Sequence, residues 1–146
     1  MDPTFSHFGI CVSDLDRSLR FYSDALGFRA AESHEIGSEF AQLMDLEEVK
    51  VTSQFIRKGT TAIELLAFSE PAPFGDTERR AVNRLGLTHL SFRVTDVEAV
   101  AAKVVELGGT RVASSRTTID FGETPLEFVY CTDPDGVRIE LMDLGS

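Results

Sequence analysis

FSHFGICVSDLDRSLRFYSDALG, residues 5–27, is a stretch that the chain repeats in altered form. It returns at residues 87–108 as LTHLSFRVTDVEAVAAKVVELG. His7 matches His89 and Asp14 matches Asp96 at the same spacing, and each copy ends in Leu-Gly. An internal repeat of this length indicates two copies of one supersecondary unit.

Each copy contains one predicted amphipathic helix, because apolar residues recur at intervals of three and four positions. In the first copy these are Leu15, Leu19, Tyr22 and Leu26, and in the second Val97, Val100, Ala101, Val104 and Leu107. Gly27 and Gly108 follow as natural helix stops. Thr95 and Glu98 have the spacing of a capping box, which predicts the start of the second helix.

Strand-like segments follow each helix, at residues 49–56 and 62–68 in the first half and at 126–132 and 137–142 in the second. The sequence D-P-D-G at 133–136 indicates a tight hairpin between the last two. Residues 69–86 are rich in charge and turn formers. We therefore predict one α+β domain over residues 1–146, with modules at 5–68 and 87–143 and a linker at 69–86.

The acidic composition excludes several classes of partner. A formal net charge of −10 repels phosphate backbones and anionic membrane surfaces, so neither nucleic acid nor a membrane is expected as a partner. No apolar run approaches the roughly 18 residues of a membrane span, and the first residues do not resemble a signal peptide. We expect a cytoplasmic protein that acts on a small molecule. Cys11 and Cys131 lie in apolar runs and are predicted to be reduced, structural thiols.

Strand alternation predicts a metal site made of His7, Glu64, His89 and Glu140. Each of the four alternates with apolar residues that would pack against the helices, which leaves the His and Glu side chains on the opposite face. Two imidazoles and two carboxylates suit one divalent Ni, Co, Zn, Mn or Fe ion, with positions open for substrate. Taken singly, each residue is a weak signal, because a strand histidine is more often structural and a single glutamate is also compatible with an edge-strand charge or an ion pair with Arg93 or Arg138.

Four further residues are candidates for substrate binding. Arg93 and Arg138 share faces with the predicted ligands, so they either bind an anionic substrate group or pair with a ligand carboxylate. Phe68 and Met142 are predicted to line an apolar wall for a substrate larger than methylglyoxal. His34, in the polar segment ESHEIGSEF, is predicted to be a solvated loop residue.

The segments FSHFGICVSDL, AIELL, LTHLSFRV and DPDGVRIELM resemble the vicinal oxygen chelate superfamily, which includes glyoxalase I, methylmalonyl-CoA epimerase, extradiol dioxygenases and bleomycin resistance proteins. The resemblance covers nearly the whole chain. It implies two paired βαβββ modules whose curved mixed sheets form a cup with helices outside, commonly in a homodimer. The cup is built within one chain or across a swapped pair. His7, Glu64, His89 and Glu140 match the ligand pattern of glyoxalase I, whereas epimerases typically have Gln at the position of Glu64.

The predicted function is that of a metal-dependent lyase or isomerase. The cation polarises the substrate oxygens and stabilises an enediolate, while a carboxylate takes the proton next to the carbonyl. Glu140 is the first candidate for this base and Glu64 the second. The alternatives are an antibiotic- or metabolite-binding resistance protein without turnover and an Fe(II) extradiol dioxygenase.

Two departures from relatives bear on the substrate. Ile10-Cys11-Val12 stands where bacterial glyoxalases carry an arginine for glutathione, so glutathione specificity is not expected. Residues 35–46 are predicted to form a substrate wall, and Glu39 lies near the place where epimerases have a catalytic acid.

Overall fold

The computed structural model describes residues 1–122 and 124–145. The chain divides into two compact units. The first comprises Met1–Ser23 and Gly27–Gly75, and the second comprises Asp24–Leu26 and Asp76–Ser146. Each unit contains one four-stranded mixed sheet. Among the described residues, no helix has the length and apolar character needed to cross a bilayer.

The sheet of the first unit has the order β1-β4-β3-β2. In chain order the elements are β1 (Phe8–Cys11), α1 (Leu15–Asp24), β2 (Arg29–Ile36), a 3-10 turn (Ser38–Phe40), α2 (Ala41–Met44), β3 (Lys50–Lys58) and β4 (Thr61–Glu70). β1 runs parallel to β4, and the other neighbours are antiparallel. The first strand of the module thus lies beside its last strand.

The second unit repeats this topology with the order β5-β8-β7-β6. Its elements are β5 (Leu90–Arg93), α3 (Val97–Glu106), β6 (Thr110–Phe121), β7 (Thr124–Thr132) and β8 (Arg138–Asp143). β5 is parallel to β8. The α+β fold with two βαβββ modules is therefore confirmed. No helix or strand is found at residues 71–89, which include most of the predicted linker.

Both long helices begin directly after the repeated aspartate. The Asp14 carboxylate accepts a hydrogen bond from the amide of Arg17 at 2.9 Å, and Asp96 accepts one from the amide of Ala99 at 2.9 Å. These bonds satisfy amide groups that the first helical turn leaves without an intrahelical partner. The matching of Asp14 to Asp96 in the sequence therefore reflects a shared cap.

The predicted capping box is wrong. Asp96 rather than Thr95 is the cap residue of α3. Glu98 instead binds Arg111 and Arg116, with shortest nitrogen–oxygen distances of 2.5 and 2.9 Å. Hydrogen bonds from Arg111 and then Arg116 lower the pKa of the Glu98 carboxyl. The Glu98 side chain therefore pairs with arginines of β6 instead of accepting the backbone amide proton that a capping box requires.

The predicted alternation of strand faces is confirmed by burial. Ile63 and Leu65, on either side of Glu64, are buried, as are Ile139 and Leu141 on either side of Glu140. In the second unit α3 contacts β6, β7 and β8. The helix therefore covers one face of that sheet and leaves Glu140 on the other.

Two predictions about single residues need correction. His34 lies on β2, although it is exposed as expected, because β2 is an edge strand whose polar sequence carries little strand signal. Cys131 is fully buried, but Cys11 is exposed on the same face of β1 as His7. Cys11 is thus not part of the apolar core.

Candidate metal centre

The first His–Glu pair lies within the first unit. His7 directly precedes β1, and Gly9 is the residue of β1 that lies opposite Glu64 on β4. This register brings His7 Nε2 to 3.1 Å from Glu64 Oε2. Both side chains are partly exposed, so solvent and small molecules reach the pair.

The second pair, in the second unit, is built in the same way. His89 directly precedes β5, and Ser91 lies opposite Glu140 on β8. His89 Nε2 is 3.7 Å from Glu140 Oε1, and both side chains are again partly exposed. Each module therefore presents one imidazole nitrogen and one carboxylate at the junction of its first and last strands.

A hydroxyl group fixes the other nitrogen of each imidazole. Ser6 Oγ lies 2.8 Å from His7 Nδ1, and Thr88 Oγ1 lies 2.8 Å from His89 Nδ1. Such a partner orients the ring and leaves Nε2 available, an arrangement typical of metal-binding histidines. Sequence reasoning missed Ser6 and Thr88, although the repeated hydroxyl-His dipeptide was visible.

An aromatic ring packs beside each histidine. The rings of His7 and Phe55 are 5.0 Å apart at 79°, and those of His89 and Tyr130 are 5.7 Å apart at 59°. Phe55 is the cross-strand partner of Glu64, and Tyr130 is the partner of Glu140. These rings limit the motion of the imidazoles on one side.

The two carboxylates differ in the hydroxyl that holds them. Ser53 on β3 donates to Glu64 at 2.5 Å, whereas Ser91 on β5 donates to Glu140 at 2.8 Å. Ser53 is 1% exposed, while Ser91 is exposed. The hydroxyls come from different strands because Gly9 occupies the position equivalent to Ser91, and Phe128 the position equivalent to Ser53.

The separation within each pair is close to the distance between two donor atoms that bind the same metal ion. Metal–ligand bonds of about 2.1 Å place a nitrogen and an oxygen roughly 3.0 Å apart at an octahedral angle and roughly 3.4 Å apart at a tetrahedral one. The 3.1 Å of the first pair lies between these values, and the 3.7 Å of the second is a few tenths longer. The donor chemistry and spacing therefore fit a divalent cation.

Within residues 1–122 and 124–145, His, Cys, Asp and Glu side chains do not gather in groups of three or more that would hold an ion. The structure thus brings His7 to Glu64 and His89 to Glu140. A site shared by all four stays a prediction.

Arg138 and Arg93 have different surroundings. Arg138 donates to the carbonyl oxygen of Arg80 at 2.6 Å, and its guanidinium lies 4.7 Å from the centre of the Tyr130 ring. Arg93 lines a cleft with Asp143 and other residues that do not include Glu140. Arg138 thus commits part of its guanidinium to the backbone of Arg80, outside the predicted ligand set.

The predicted apolar wall has a different character in each unit. Phe68 packs against a small cluster of Ala41, Val49 and Val51, beneath the segment of α2. Met142 lies opposite Phe128 on the face of Glu140 and is partly exposed. Met142 is thus the more accessible of the two predicted wall residues.

Glu39 is tied to its own turn. Its carboxylate accepts the amide proton of Gly37 at 3.1 Å, and its side chain is exposed. Hydrogen bonds from its own backbone and from Gly37 lower the pKa of Glu39, so it is ionised at neutral pH. An ionised carboxylate accepts protons but does not donate them, which argues against a general-acid role.

A cleft of about 270 Å³ opens beside Glu140 in the second unit. The register of β6 against β7 shifts between Val112 and Thr117, and this irregular segment forms part of the cleft wall. The lining residues are Ser115, Thr117, Ile119, Phe128, Val129, Tyr130 and Glu140. Sequence reasoning identified Glu140 but not the cleft, because β6 was not recognised as a strand.

Comparison with known proteins assigns the family. The model of the glyoxalase/bleomycin resistance protein/dioxygenase superfamily matches residues 4–141. The chain is 30% identical over 141 residues to a probable lactoylglutathione lyase of Synechocystis, covering 96% of this chain and 95% of the relative. It therefore belongs to the glyoxalase/bleomycin resistance protein/dioxygenase superfamily.

Other relatives and solved structures extend the comparison. An ethylmalonyl-CoA/methylmalonyl-CoA epimerase of Cereibacter sphaeroides is 28% identical, with 93% and 94% of the two chains covered. The chain spans 34% of a probable chloroplastic lactoylglutathione lyase of Arabidopsis thaliana, with 92% of this chain aligned at 26% identity. A glyoxalase family protein of Bacillus cereus has the same fold, with a TM-score of 0.80 at 20% identity over 95% and 92% of the chains. The fosfomycin resistance protein FosX of Listeria monocytogenes, solved with Mn(II) and sulfate, has a TM-score of 0.63 at 16% identity over 100% and 95%.

Proposed function

We propose that this protein is a divalent-metal-dependent lyase or isomerase that moves a proton on the carbon next to a carbonyl group. The observation that carries the proposal is the repeated His–Glu pair, in which a neighbouring hydroxyl occupies Nδ1 and leaves Nε2 beside a carboxylate. Relatives named as a lyase and an epimerase belong to the two reaction classes proposed.

The metal is held by His7, Glu64, His89 and Glu140 together. The set of two nitrogens and two oxygens suits Ni, Co, Zn, Mn or Fe in the divalent state. The two pairs come either from one chain or from two copies in a homodimer. When bound, the ion supplies positive charge that polarises the carbonyl oxygens of the substrate.

Of the two glutamate ligands, Glu140 is the one that would also act as the base, whereas Glu64 would stay a fixed ligand. Glu64 is held by a buried serine at 2.5 Å and lies 3.1 Å from its histidine. Glu140 is held by an exposed serine at 2.8 Å, lies 3.7 Å from its histidine and borders the cleft. The less constrained carboxylate, next to the space for substrate, is the one that can approach a carbon-bound proton.

The experiment measures metal content by elemental analysis of protein purified without chelator. We expect about one ion per predicted four-residue site in the wild type and none in the double variant His7→Ala, Glu140→Ala. His34→Ala is the matched control, since His34 is an exposed histidine on an edge strand, and it should retain the metal.

Activity is then measured with 2-oxoaldehyde–thiol adducts and with acyl-CoA epimers in deuterium oxide. Incorporation of deuterium at the carbon next to the carbonyl, lost in Glu140→Gln, supports proton transfer. Failure to take up any of Ni, Co, Zn, Mn or Fe after reconstitution would overturn the proposal and favour a ligand-binding protein without turnover. Oxygen consumption with a catechol and Fe(II) would instead indicate a dioxygenase.

A further inference from the structure

We propose that the cleft beside Glu140 binds an uncharged apolar group of the substrate, about the size of one aromatic ring. This inference rests on the proposed function, because it names the class of substrate for that site. The two oxygens of the substrate that chelate the metal would lie beside Glu140, and the aryl or short alkyl group of the substrate would occupy the cleft. A thiol-tripeptide or nucleotide carrier would not occupy the cleft.

The size of the cleft sets the first limit. Its volume of about 270 Å³ lies just below the roughly 300 Å³ at which drug-sized pockets begin. Apolar cavities of about 150 Å³ already hold benzene. One ring with a short linker therefore fills the space.

The walls present apolar surface. Ile119, Phe128 and Tyr130 line the cleft, and cross-strand pairing places Tyr130 next to Glu140. Ile119 is 41% exposed, so its apolar surface is open to a ligand. Because the first module has Ser53 at the position equivalent to Phe128, the aromatic wall distinguishes the second module from the first.

The serine and threonine hydroxyl groups of the cleft are committed to the backbone. Ser115 Oγ donates to the carbonyl oxygen of Val112 at 2.6 Å and accepts the amide proton of Tyr130 at 2.8 Å. Thr117 Oγ1 donates to the carbonyl oxygen of Ser115 at 3.0 Å. These hydrogen bonds hold the irregular segment of β6, and the hydroxyl protons are unavailable to a polar ligand.

The charge distribution disfavours an anionic occupant. Glu140 is the single ionisable carboxylate or cation among the described residues that line the cleft. The nearby Arg116 is bound by Glu98 and Glu127, each at 2.9 Å. Arg138, whose guanidinium lies 4.7 Å from the centre of the Tyr130 ring, already donates to the carbonyl oxygen of Arg80. The described residues that line the cleft therefore supply no cation of their own to pair with a carboxylate or phosphate.

The first experiment uses the metal-free protein and 4-fluoroacetophenone, followed by fluorine NMR. We expect saturable binding that Ile119→Asp weakens by about tenfold or more, since the variant places a charge in an apolar wall. Val105→Asp is the matched control, because Val105 is 50% exposed on α3 and outside the cleft, and it should bind as the wild type does. Equal binding by wild type and Ile119→Asp would overturn the inference.

The second experiment uses Co(II)-loaded protein and three hydroxamates, which supply two adjacent oxygens. We expect 4-fluorobenzohydroxamate to bind about tenfold tighter than acetohydroxamate, and 4-carboxybenzohydroxamate to lose that advantage. Tighter binding of the carboxylated compound would contradict the inference. If the protein takes up no Co(II), the proposed function fails, while the metal-free experiment still decides whether the cleft binds an apolar group.

Discussion

Ser53 on β3 donates a 2.5 Å hydrogen bond to Glu64 on β4, and Ser53 is almost completely buried. A buried donor with one carboxylate partner restricts that carboxylate to one orientation. Partners of this kind typically contribute about 10–100-fold to metal affinity.

Ser53→Ala should therefore weaken Co(II) binding by about tenfold, whereas Ser91→Ala should have a smaller effect because Ser91 is exposed and water can replace it. Competition against a chromophoric chelator measures both. Equal losses in the two variants would contradict the proposed difference between Glu64 and Glu140.

The hydroxyls beside the histidines give a second prediction. Thr88→Val keeps the shape of the side chain but removes the contact with His89 Nδ1, so metal affinity should fall by about tenfold. Thr88→Ser retains the hydroxyl and should bind metal like the wild type. A loss in Thr88→Ser equal to that in Thr88→Val would contradict the prediction, because retaining the hydroxyl would then give no advantage.

Mixing of variants tests how the two pairs combine. His7→Ala, Glu64→Ala removes one pair, and His89→Ala, Glu140→Ala removes the other. If two copies build each site, co-refolding the two double variants should restore metal binding in mixed dimers. If size-exclusion chromatography shows dimers but these bind no metal, each chain supplies its own four ligands.

The helix caps make a stability prediction. Asp96→Ala should lower the free energy of unfolding by about 1 kcal/mol, because the Ala99 amide loses its acceptor. Thr95→Ala should change it by only a few tenths. Urea denaturation followed by circular dichroism compares the two, and a larger loss for Thr95→Ala would restore the capping-box interpretation.

The buried thiol predicts a pH dependence in the alkaline range. Burial raises the pKa of Cys131 from 9.0 to about 11. The folded state then holds a proton that the unfolded state releases, so stability is complete below pH 9 and falls as the pH rises toward 11. The free energy of unfolding falls by at most about 1.4 kcal/mol per pH unit in this range.

Cys131→Ala should lack this extra slope, although its stability near pH 7 should be lower because the thiol fills core volume. A thiol reagent should modify the exposed Cys11 in the native protein and leave Cys131 unreacted. Rapid modification of Cys131 in a native Cys11→Ser variant would contradict the assignment.

The parts of the fold with strong periodic signals were predictable from the sequence. The alternation around Glu64 and Glu140 identified β4 and β8, because their apolar residues are fully buried on one face. β2 and β6 were missed because their side chains are largely exposed, so they carry no alternation. His34 was consequently assigned to a loop.

The sequence was sufficient to predict the candidate ligands, but not the side chains that form hydrogen bonds with those ligands. His7 and His89 could be identified because they recur at equivalent positions of the repeat. Ser53 and Ser91 bind equivalent carboxylates, but they lie on non-equivalent strands. A search for repeated residues cannot find partners that the two modules supply differently. Identifying Ser53 and Ser91 as partners of the carboxylates required the strand register of the structure.

The division between the hydrogen-bonded groups and the apolar wall of the cleft bears on how such a protein changes over evolution. Ile119 and Phe128 contribute shape alone through their side chains, so a substitution there leaves every hydrogen bond around His89 and Glu140 in place. Mutational drift can therefore exchange one substrate body for another while the reactive chemistry persists. This separation offers a physical reason why a single architecture hosts lyases, epimerases and resistance proteins.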